Sequence, residues 1–377
     1  MKLALLIFSA GFLVIMPGKA NGASFCYDET QDCGPNSWGG VCNTGRHQSP
    51  INFNISNDDL SKAEKVELYY SKDYGKNQAF ILKNNGHTIQ ASVRADLTST
   101  SFLQGGQGNL ANKRYIFSQI HFHWGSKNNR GSEHKFNDAP HAMEGHFVHY
   151  SSEFSGTTEA IKSNQPNALA VFGVVYDVSN VPNAAFDPIL KVLSNVKNSG
   201  HNTTGTNLNL LKLLPKQTER FYDFQYNGSL TTPDCAEVVL WNSIKNTEQI
   251  SETQLQQFRE VLDEQNKPMQ EIFRPIQQLN NRKIQVYEFE LTRGITQLKM
   301  EENGGIAENR EIRLSVMISN TITKSNSSIP FQILYLHFLL LHFCAYSFAV
   351  QNIFDVNHQQ IMTDGWTENC SYSTDLI

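Results

Sequence analysis

The sequence predicts an α+β fold that is mainly β. Short runs with strand-like patterns recur from about residue 45 to about residue 290, and Gly, Asn, Ser and Pro turns separate them. These runs rarely alternate with helical patterns, which argues against a parallel sheet with helices on both faces. The length of 377 residues is enough to bury one large core or two smaller ones.

The first 22 residues have the pattern of a secretory signal peptide. Lys2 supplies a positive charge, residues 3–16 are apolar, and Asn21-Gly22-Ala23 offers the small residues of a cleavage site. The apolar stretch is short for a membrane span, and a buried N-terminal helix is the alternative. A signal peptide predicts the secretory pathway and an extracellular or cell-surface location.

Strands are the dominant element predicted between residues 45 and 290. Clear examples are Ala79 to Lys83, Thr88 to Val93, Ile116 to His123, Gly145 to Tyr150, Ala168 to Tyr176 and Val238 to Lys245. Two segments are predicted to be helices, Pro188 to Asn195 and Ser251 to Asp263. In the second helix, Ser251 and Gln254 have the spacing of a capping box.

The C-terminal part of the chain changes character. Residues 291–328 are polar and charged and predict a stalk or a disordered segment. Residues 329–350 carry no formal charge and are long enough to span a membrane, and a polar tail, 351–377, follows. The segment is therefore compatible with a transmembrane anchor, a GPI-type signal or an atypical C-terminus. The polar tail argues against the GPI signal, whose hydrophobic end should finish the chain.

Charge and cysteine content narrow the function classes. The formal net charge of −5 comes without a clustered basic face, so the sequence gives no indication of nucleic-acid binding. Disulfides persist in the secretory pathway, but the connectivity of six cysteines cannot be deduced from sequence alone. Glycosylation sequons, which fit this route, occur at Asn54, Asn202, Asn227, Asn326 and Asn369.

Three histidines are the candidate metal ligands. His121 and His123 are two residues apart, so they share one face of a strand, and His146 follows on a second predicted strand. If the two strands pair, three imidazoles meet. Three protein ligands with one open position are typical of catalytic zinc, whereas structural zinc usually has four. A surface or core role is the alternative for each histidine alone.

Two polar residues strengthen this interpretation. Gln119 precedes His121 by two residues and Glu144 precedes His146 by two, so each lies on the face of its histidine. Ligand histidines usually donate their second N–H to a carboxylate, amide or carbonyl that fixes the ring. Gln119 and Glu144 are therefore predicted to orient the two imidazoles, although an ordinary polar strand face would have the same spacing.

Several motifs occur together in the order of one known family. They are Gln48-Ser49-Pro50-Ile51, Asn84-Asn85-Gly86-His87, Gln119-Ile120-His121-Phe122-His123-Trp124-Gly125, Gly131-Ser132-Glu133-His134, Glu144-Gly145-His146-Phe147-Val148-His149, Gly228-Ser229-Leu230-Thr231-Thr232-Pro233 and Phe273-Arg274-Pro275. From about residue 37 to 290 the chain resembles an α-class carbonic anhydrase. The catalytic domain is accordingly placed at residues 23–290.

The resemblance implies a large, twisted, mostly antiparallel sheet with peripheral helices and Zn²⁺ at the base of a cleft. His121, His123 and His146 take the ligand positions, with water or hydroxide as the fourth ligand. The implied reaction is the reversible hydration of carbon dioxide to bicarbonate and a proton. Thr231 matches the residue that orients the hydroxide and donates its own proton to Glu133, since an ionised carboxylate can only accept.

The resemblance also assigns a substrate pocket and a proton shuttle. Carbon dioxide is apolar, and the residues that match the family's pocket are Val148, Val171, Leu230, Thr232 and Trp241; without the resemblance, the apolar ones would be assigned to the core. His87, in Asn85-Gly86-His87, matches the shuttle histidine, and imidazole titrates in the pH range that a shuttle needs; without the resemblance, His87 would be assigned to an exposed turn. Asn85 and Gln90 match the residues that hold the connecting waters.

The cysteine pattern resembles that of the extracellular, membrane-attached members, of which the GPI-linked type is the most similar. Cys42 and Cys235 match the bridge of extracellular members, and Cys26 and Cys33 match an additional bridge. One departure concerns the water network: Gly40 follows Trp38-Gly39, where cytosolic relatives have a tyrosine. Residues 291–377 match nothing in the family's domain.

Three other functions fit the sequence less well than the hydratase. An acatalytic adhesion or receptor domain of the same family typically loses ligand histidines, and this chain keeps all three. A matrix protein would be expected to carry Gly-Asn repeats or long acidic runs, which the sequence lacks. The sequence also has no His-Glu-x-x-His motif, which argues against the common zinc proteases. The sequence gives no indication of the oligomeric state.

Overall fold

The computed structural model describes residues 25–93, 101–105, 108–215 and 221–293. The predicted signal peptide, 1–22, lies outside these residues, as do the membrane-anchor candidate, 329–350, and the polar tail, 351–377. Among the described residues, no helix has the length and apolar character needed to cross a membrane.

Strands make up most of the regular structure. In chain order they are β1 (Asn52–Phe53), β2 (Glu64–Tyr70), β3 (Gln78–Asn84), β4 (Ile89–Val93), β5 (Phe102–Gly105), β6 (Arg114–Trp124), β7 (Lys135–Phe136), β8 (Met143–Ser151), β9 (Leu169–Ser179), β10 (Asn202–Leu208), β11 (Phe221–Gly228), β12 (Val239–Ser251) and β13 (Gln285–Arg293). The prediction of a mainly β fold is confirmed. β13 continues three residues past position 290, into the segment predicted to be a stalk.

The helices are short and surround the sheet. The α-helices of the described residues are α1 (Val41–Thr44), α2 (Asn57–Ser61), α3 (Thr157–Lys162), α4 (Asp187–Leu193) and α5 (Glu252–Arg259). The 3₁₀ helices in the same residues are Pro35–Ser37, Gly108–Leu110, Ser194–Val196 and Leu210–Leu213. Peripheral helices of this kind agree with the expected architecture.

The α5 helix has the predicted start but ends earlier than predicted. The Ser251 side chain accepts a hydrogen bond from the Gln254 N–H, and the Gln254 side chain accepts one from the Ser251 N–H, which completes the capping box. The helix was expected to reach Asp263 but ends at Arg259. Beyond it, the Leu262 N–H donates to the Lys197 carbonyl at 2.8 Å, so a tertiary contact replaces helical hydrogen bonding.

One large mixed sheet contains β2 to β6 and β8 to β13, while β1 and β7 form a separate parallel pair. Most neighbours in the large sheet are antiparallel; β9 with β12 and β2 with β13 are parallel. β6 lies at a junction, because its first half pairs with β5, its second half pairs with β4, and β8 covers its other edge.

Both faces of the central strands are buried. Phe147 on β8 and Phe172 on β9 belong to the larger hydrophobic cluster, whereas the adjacent Val148 and Val171 belong to a second cluster on the opposite face. Side chains alternate between faces along a strand, so each strand contributes to two cores. This double burial holds β6, β8, β9 and β12 in fixed register, which a precise site requires.

Candidate metal centre

The pairing of β6 with β8 brings the three predicted ligands together. His121 lies directly opposite His146 in the antiparallel register, and His123 lies opposite Glu144. Because His121 and His123 share a face of β6, all three imidazoles point to the same place. One nitrogen from each ring lies within 4.8 Å of the others.

Hydrogen bonds fix each ring so that one nitrogen is left facing its partners. Nδ1 of His121 lies 3.0 Å from Gln119 Oε1, Nδ1 of His123 lies 2.8 Å from the Ile272 carbonyl, and Nε2 of His146 lies 2.8 Å from Glu144 Oε1. These acceptors place the proton of each neutral imidazole away from the centre. The converging nitrogens are therefore unprotonated, and each presents the lone pair that a metal binds.

Burial favours the neutral form of all three imidazoles. It lowers the pKa of His121 and His146 below the usual range and that of His123 to about 4. Nε2 of His123 is buried without a hydrogen-bond partner among the described residues, and Nδ1 of His146 lies 3.3 Å from Nε2 of His121. Burying unpaired nitrogen lone pairs this close together costs free energy unless a cation lies between them. The three imidazoles therefore fit a divalent metal that prefers nitrogen ligands.

Glu144 organises the floor of the site. Its Oε2 accepts the backbone N–H groups of Glu133 and His134, each at 2.8 Å, and its Oε1 is 2.8 Å from nitrogens of both His134 and His146. Burial alone would raise the pKa of Glu144, but charge interactions with His134 and His146, together with the hydrogen bonds from these two side chains, hold it well below its usual range. A Cβ on Gly173 would lie 2.9 Å from Glu144 Oε1, so this glycine leaves room for the carboxylate.

Glu133 is a buried carboxyl beside the histidines. Its Oε1 accepts the Arg274 N–H at 2.8 Å and lies 3.5 Å from Nδ1 of His123. Burial raises the pKa of Glu133 to about 7, while the charge of His146 and hydrogen bonds from Thr231 and Arg274 oppose that rise. Thr231 itself is buried. The structure thus brings Glu133 and Thr231 together next to the ligand set.

An apolar wall adjoins His146. Val148, Val171 and Trp241 lie side by side on β8, β9 and β12, and all three are buried in the second hydrophobic cluster, against which the partly buried Leu230 packs. The Trp241 ring centroid is 4.8 Å from that of His146. Thr232 is half-buried, and its carbonyl accepts the Cys235 N–H.

His87 lies on the turn between β3 and β4. The Asn85 side chain accepts the backbone N–H groups of His87 and Thr88, which holds this turn. Thr88 in turn bonds the backbone of Phe122 on β6, between two of the ligands. Gln90 pairs with His121 across β4 and β6. The structure thus connects the turn carrying His87 to the strand carrying the metal ligands.

Sequence reasoning missed two residues of the site. The Tyr27 ring centroid lies 6.4 Å from that of His123, and burial and the charge of Glu133 raise the pKa of its phenol well above the usual range. Gly40, which stands where cytosolic relatives have a tyrosine, is an exposed residue at the start of α1. Tyr27 supplies a phenol near the site instead. His134 lies behind His146, between Glu144 and the Tyr226 hydroxyl.

Two disulfides are present in the described residues, Cys26–Cys33 and Cys42–Cys235. They are the pairs that the resemblance implied. The Cys42 carbonyl accepts a hydrogen bond from the Arg274 guanidinium, and the Cys235 carbonyl accepts one from the Gln48 side chain. The Cys42–Cys235 disulfide, which closes the longer loop, therefore joins the chain segments that support Glu133.

Comparison with known proteins agrees with this geometry. Residues 33–288 match the profile of the eukaryotic-type carbonic anhydrases. The chain is 32% identical over 290 residues to carbonic anhydrase 15 of Mus musculus, covering 74% of this chain and 88% of that protein. It is 30% identical to carbonic anhydrase 4 of Oryctolagus cuniculus, with 75% and 90% covered, and 34% identical to carbonic anhydrase 6 of Homo sapiens, with 64% and 75% covered.

Proposed function

Because this chain belongs to the eukaryotic-type carbonic anhydrase family, we propose that it uses zinc to hydrate carbon dioxide reversibly to bicarbonate and a proton. The observation that carries the proposal is the convergence of three imidazole nitrogens within 4.8 Å. Each is made a lone-pair donor by the hydrogen bond at the opposite side of its ring.

His121, His123 and His146 would hold the metal. Zinc bound by three neutral imidazoles acts as a Lewis acid and lowers the pKa of a bound water to about 7; carbonic anhydrase is itself the standard example. The chain's part is to keep the imidazoles neutral and fixed. Gln119, Glu144 and the Ile272 carbonyl do so by accepting their N–H groups.

Thr231 and Glu133 would orient the reacting oxygen. An ionised Glu133 can only accept, so the Thr231 hydroxyl must donate to it. The Thr231 oxygen then has lone pairs left, and it can accept a hydrogen bond from the nucleophile. A divalent cation next to Glu133 would favour its ionised form, so the buried carboxylate suits a metal-loaded site. Orientation of this kind lowers the entropic part of a barrier.

The wall formed by Val148, Val171, Leu230 and Trp241 would receive carbon dioxide. The substrate has no charge to be clamped, and an apolar surface excludes water that would compete for the same position. Thr232, half-buried beside Thr231, is proposed to complete the pocket. His87 would carry the released proton toward solvent, since an imidazole can both accept and release a proton.

We propose the secretory pathway as the route of this enzyme and the outside of the cell as its location. The two disulfides fit an oxidising compartment. Asn54, Asn202 and Asn227 are exposed, as acceptors of N-linked glycans must be. We further propose cleavage after the signal, 1–22, and a catalytic domain that begins at residue 23 and continues through β13 to Arg293. A stalk that follows it to residue 328 and membrane attachment through 329–350 complete the proposal. Phospholipase release of the expressed full chain would test a GPI anchor.

The decisive experiment removes single ligands. His121→Ala or His146→Ala should lose bound zinc and at least a thousandfold in hydration rate, because two imidazoles cannot keep the metal in place (the factor is an order-of-magnitude expectation). Zinc content, carbon dioxide hydration and sulfonamide inhibition are measured together. His201→Ala is the matched control, since His201 is exposed. A wild-type protein that binds zinc fully but does not hydrate carbon dioxide would support the acatalytic alternative.

A further inference from the structure

The imidazole of His87 is held from two sides. The Phe25 ring stacks on it with ring centroids 3.9 Å apart and an interplanar angle of 17°. The Glu264 carboxylate lies 3.9 Å from its Nε2. The side chain of His87 is 19% exposed, and that of Glu264 is 46% exposed, so the pair lies at the boundary between protein and solvent.

Glu264 comes from the loop after α5, and its aliphatic part crosses the turn that carries His87. A Cβ on Gly86 would lie 2.5 Å from Glu264 Cγ, and Gly86 has a φ of +89°, so glycine is needed here for both space and conformation. The turn and the loop are therefore in direct contact. This contact limits the positions that the carboxylate can take relative to His87.

Phe25 is held by the small N-terminal disulfide loop. The Trp38 indole N–H donates to the carbonyls of both Cys26 and Cys33, at 3.2 and 2.9 Å. The Trp38 ring also contacts Phe25 edge-to-face at 5.5 Å. Phe25 contacts Tyr27 at 5.7 Å. These contacts keep the Phe25 ring in the place where it meets His87.

We propose that Phe25 and Glu264 are positioning residues of the proton shuttle, which hold the His87 imidazole in one orientation and stabilise its protonated form. The inference rests on the proposed hydratase function. A carboxylate near Nε2 favours the imidazolium, and the face of an aromatic ring attracts a cation. Neither residue touches the metal ligands in the structure, so neither is assigned to the chemical step.

Electrostatics support this arrangement. Burial lowers the pKa of His87, whereas Glu264 and, more weakly, Asp263 raise it. Both acids face His87 from the loop after α5, while the N-terminal segment presents the uncharged Phe25 ring. Without Glu264, nothing but the weaker effect of Asp263 would oppose the lowering by burial, so the His87 imidazole would be a weaker base and proton export would slow.

Glu264→Gln in the zinc-loaded, full-length protein tests the electrostatic part. By NMR titration, the pKa of His87 should fall by about half a unit, the size expected for a half-exposed pair. In weak buffer kcat should fall about threefold, with kcat/KM and zinc content unchanged. Glu29→Gln is the matched control, because Glu29 lies on the same cavity rim and is exposed.

A double-mutant cycle with His87→Ala decides whether Glu264 acts through the histidine. Glu264→Gln should have no further effect once His87 is alanine, and added imidazole should restore turnover in both backgrounds. An equal pKa of His87 in the Glu264→Gln and Glu29→Gln variants would overturn the proposal. So would a loss of kcat that persists in the His87→Ala background.

Phe25→Leu tests the stacking, with Phe25→Trp as the conservative replacement. Leucine keeps an apolar side chain but removes the ring, so the ring-current shift of the His87 proton resonances should disappear and kcat in weak buffer should fall. Tryptophan should retain both. Unchanged His87 resonances in Phe25→Leu would contradict the assignment. If the wild-type protein does not hydrate carbon dioxide, the proposed function fails, while the NMR measurements still test how His87 is held.

Discussion

Asp223 on β11 is a buried carboxyl for which the described residues offer no hydrogen-bond partner at either oxygen. Its neighbours across the sheet are Ile244 on β12 and Tyr287 on β13, neither of which carries a positive charge. Burial raises the pKa of Asp223 well above its usual range. The unfolded chain therefore releases this proton more readily than the folded protein does, so stability falls as the pH rises above about 4.

Asp223→Asn should therefore stabilise the protein at neutral pH. The amide cannot ionise, and the free energy of unfolding should increase by about 1–2 kcal/mol. Urea unfolding at pH 5 and pH 8 measures the effect, which should be larger at pH 8. Asp32→Asn is the control, because Asp32 is exposed. A variant that is no more stable than the wild type at pH 8 would contradict this account.

At the scale of single residues, the sequence predicts what local spacing determines. The same-face rule places His121 next to His123 and Gln119 next to His121, and the structure has these contacts. Spacing does not reveal Tyr27 or His134, because their places depend on contacts between distant segments. The Cys26–Cys33 loop was the available signal for Tyr27, since the tyrosine directly follows the first cysteine.

At the scale of elements, the alternating pattern predicts the strands well, whereas the helical pattern predicts helix ends less well. β6 and β8 contain the predicted runs around His121 and His146. Their register, which sets His121 against His146, could not be predicted, because a strand pattern states which face a residue takes but not which residue it meets. The α5 helix ends early for a similar reason, since a distant carbonyl takes the Leu262 N–H.

His149 links β8 to the segment after β2. Its Nδ1 donates to the Phe147 carbonyl at 2.9 Å, and its Nε2 lies 3.1 Å from the Tyr74 hydroxyl. Burial lowers its pKa to about 3. An unfolded histidine titrates at about 6.5, so between these values the unfolded state binds a proton that the folded state does not. The stability contributed by neutral His149 is present above pH 6.5 and is lost as the pH falls toward 3.

His149→Gln should reduce this acid sensitivity. Glutamine can still bond the Tyr74 hydroxyl but does not titrate, so between pH 4 and pH 6 the free energy of unfolding should vary with pH by about 1.4 kcal/mol per unit less than in the wild type. Denaturant unfolding across this range measures the slope. His201→Gln, at an exposed position, is the control. Equal slopes for the wild type and His149→Gln would show that His149 is not the titrating group.

At the scale of the whole molecule, the sequence predicts the fold class but not the strand order. Sheet neighbours such as β2 and β13, or β9 and β12, are far apart in the chain and run parallel. Single-sequence patterns carry no information on such non-local pairs; the expected architecture came from the family resemblance. The disulfide between Cys42 and Cys235 is equally non-local, and it spans a separation of 193 residues.

The two disulfides should contribute unequally to stability. In the chain-entropy model, a closed loop of about 190 residues contributes about 5 kcal/mol and a loop of about 7 residues contributes about 2 kcal/mol. Replacing Cys42 and Cys235 by alanine should therefore lower the free energy of unfolding much more than replacing Cys26 and Cys33, the matched control pair. It should also weaken zinc retention, because the carbonyls of Cys42 and Cys235 hold Arg274 and Gln48, and Arg274 positions Glu133. Denaturant unfolding and zinc content are measured on both variants, and equal losses in the two pairs would contradict a loop-length origin.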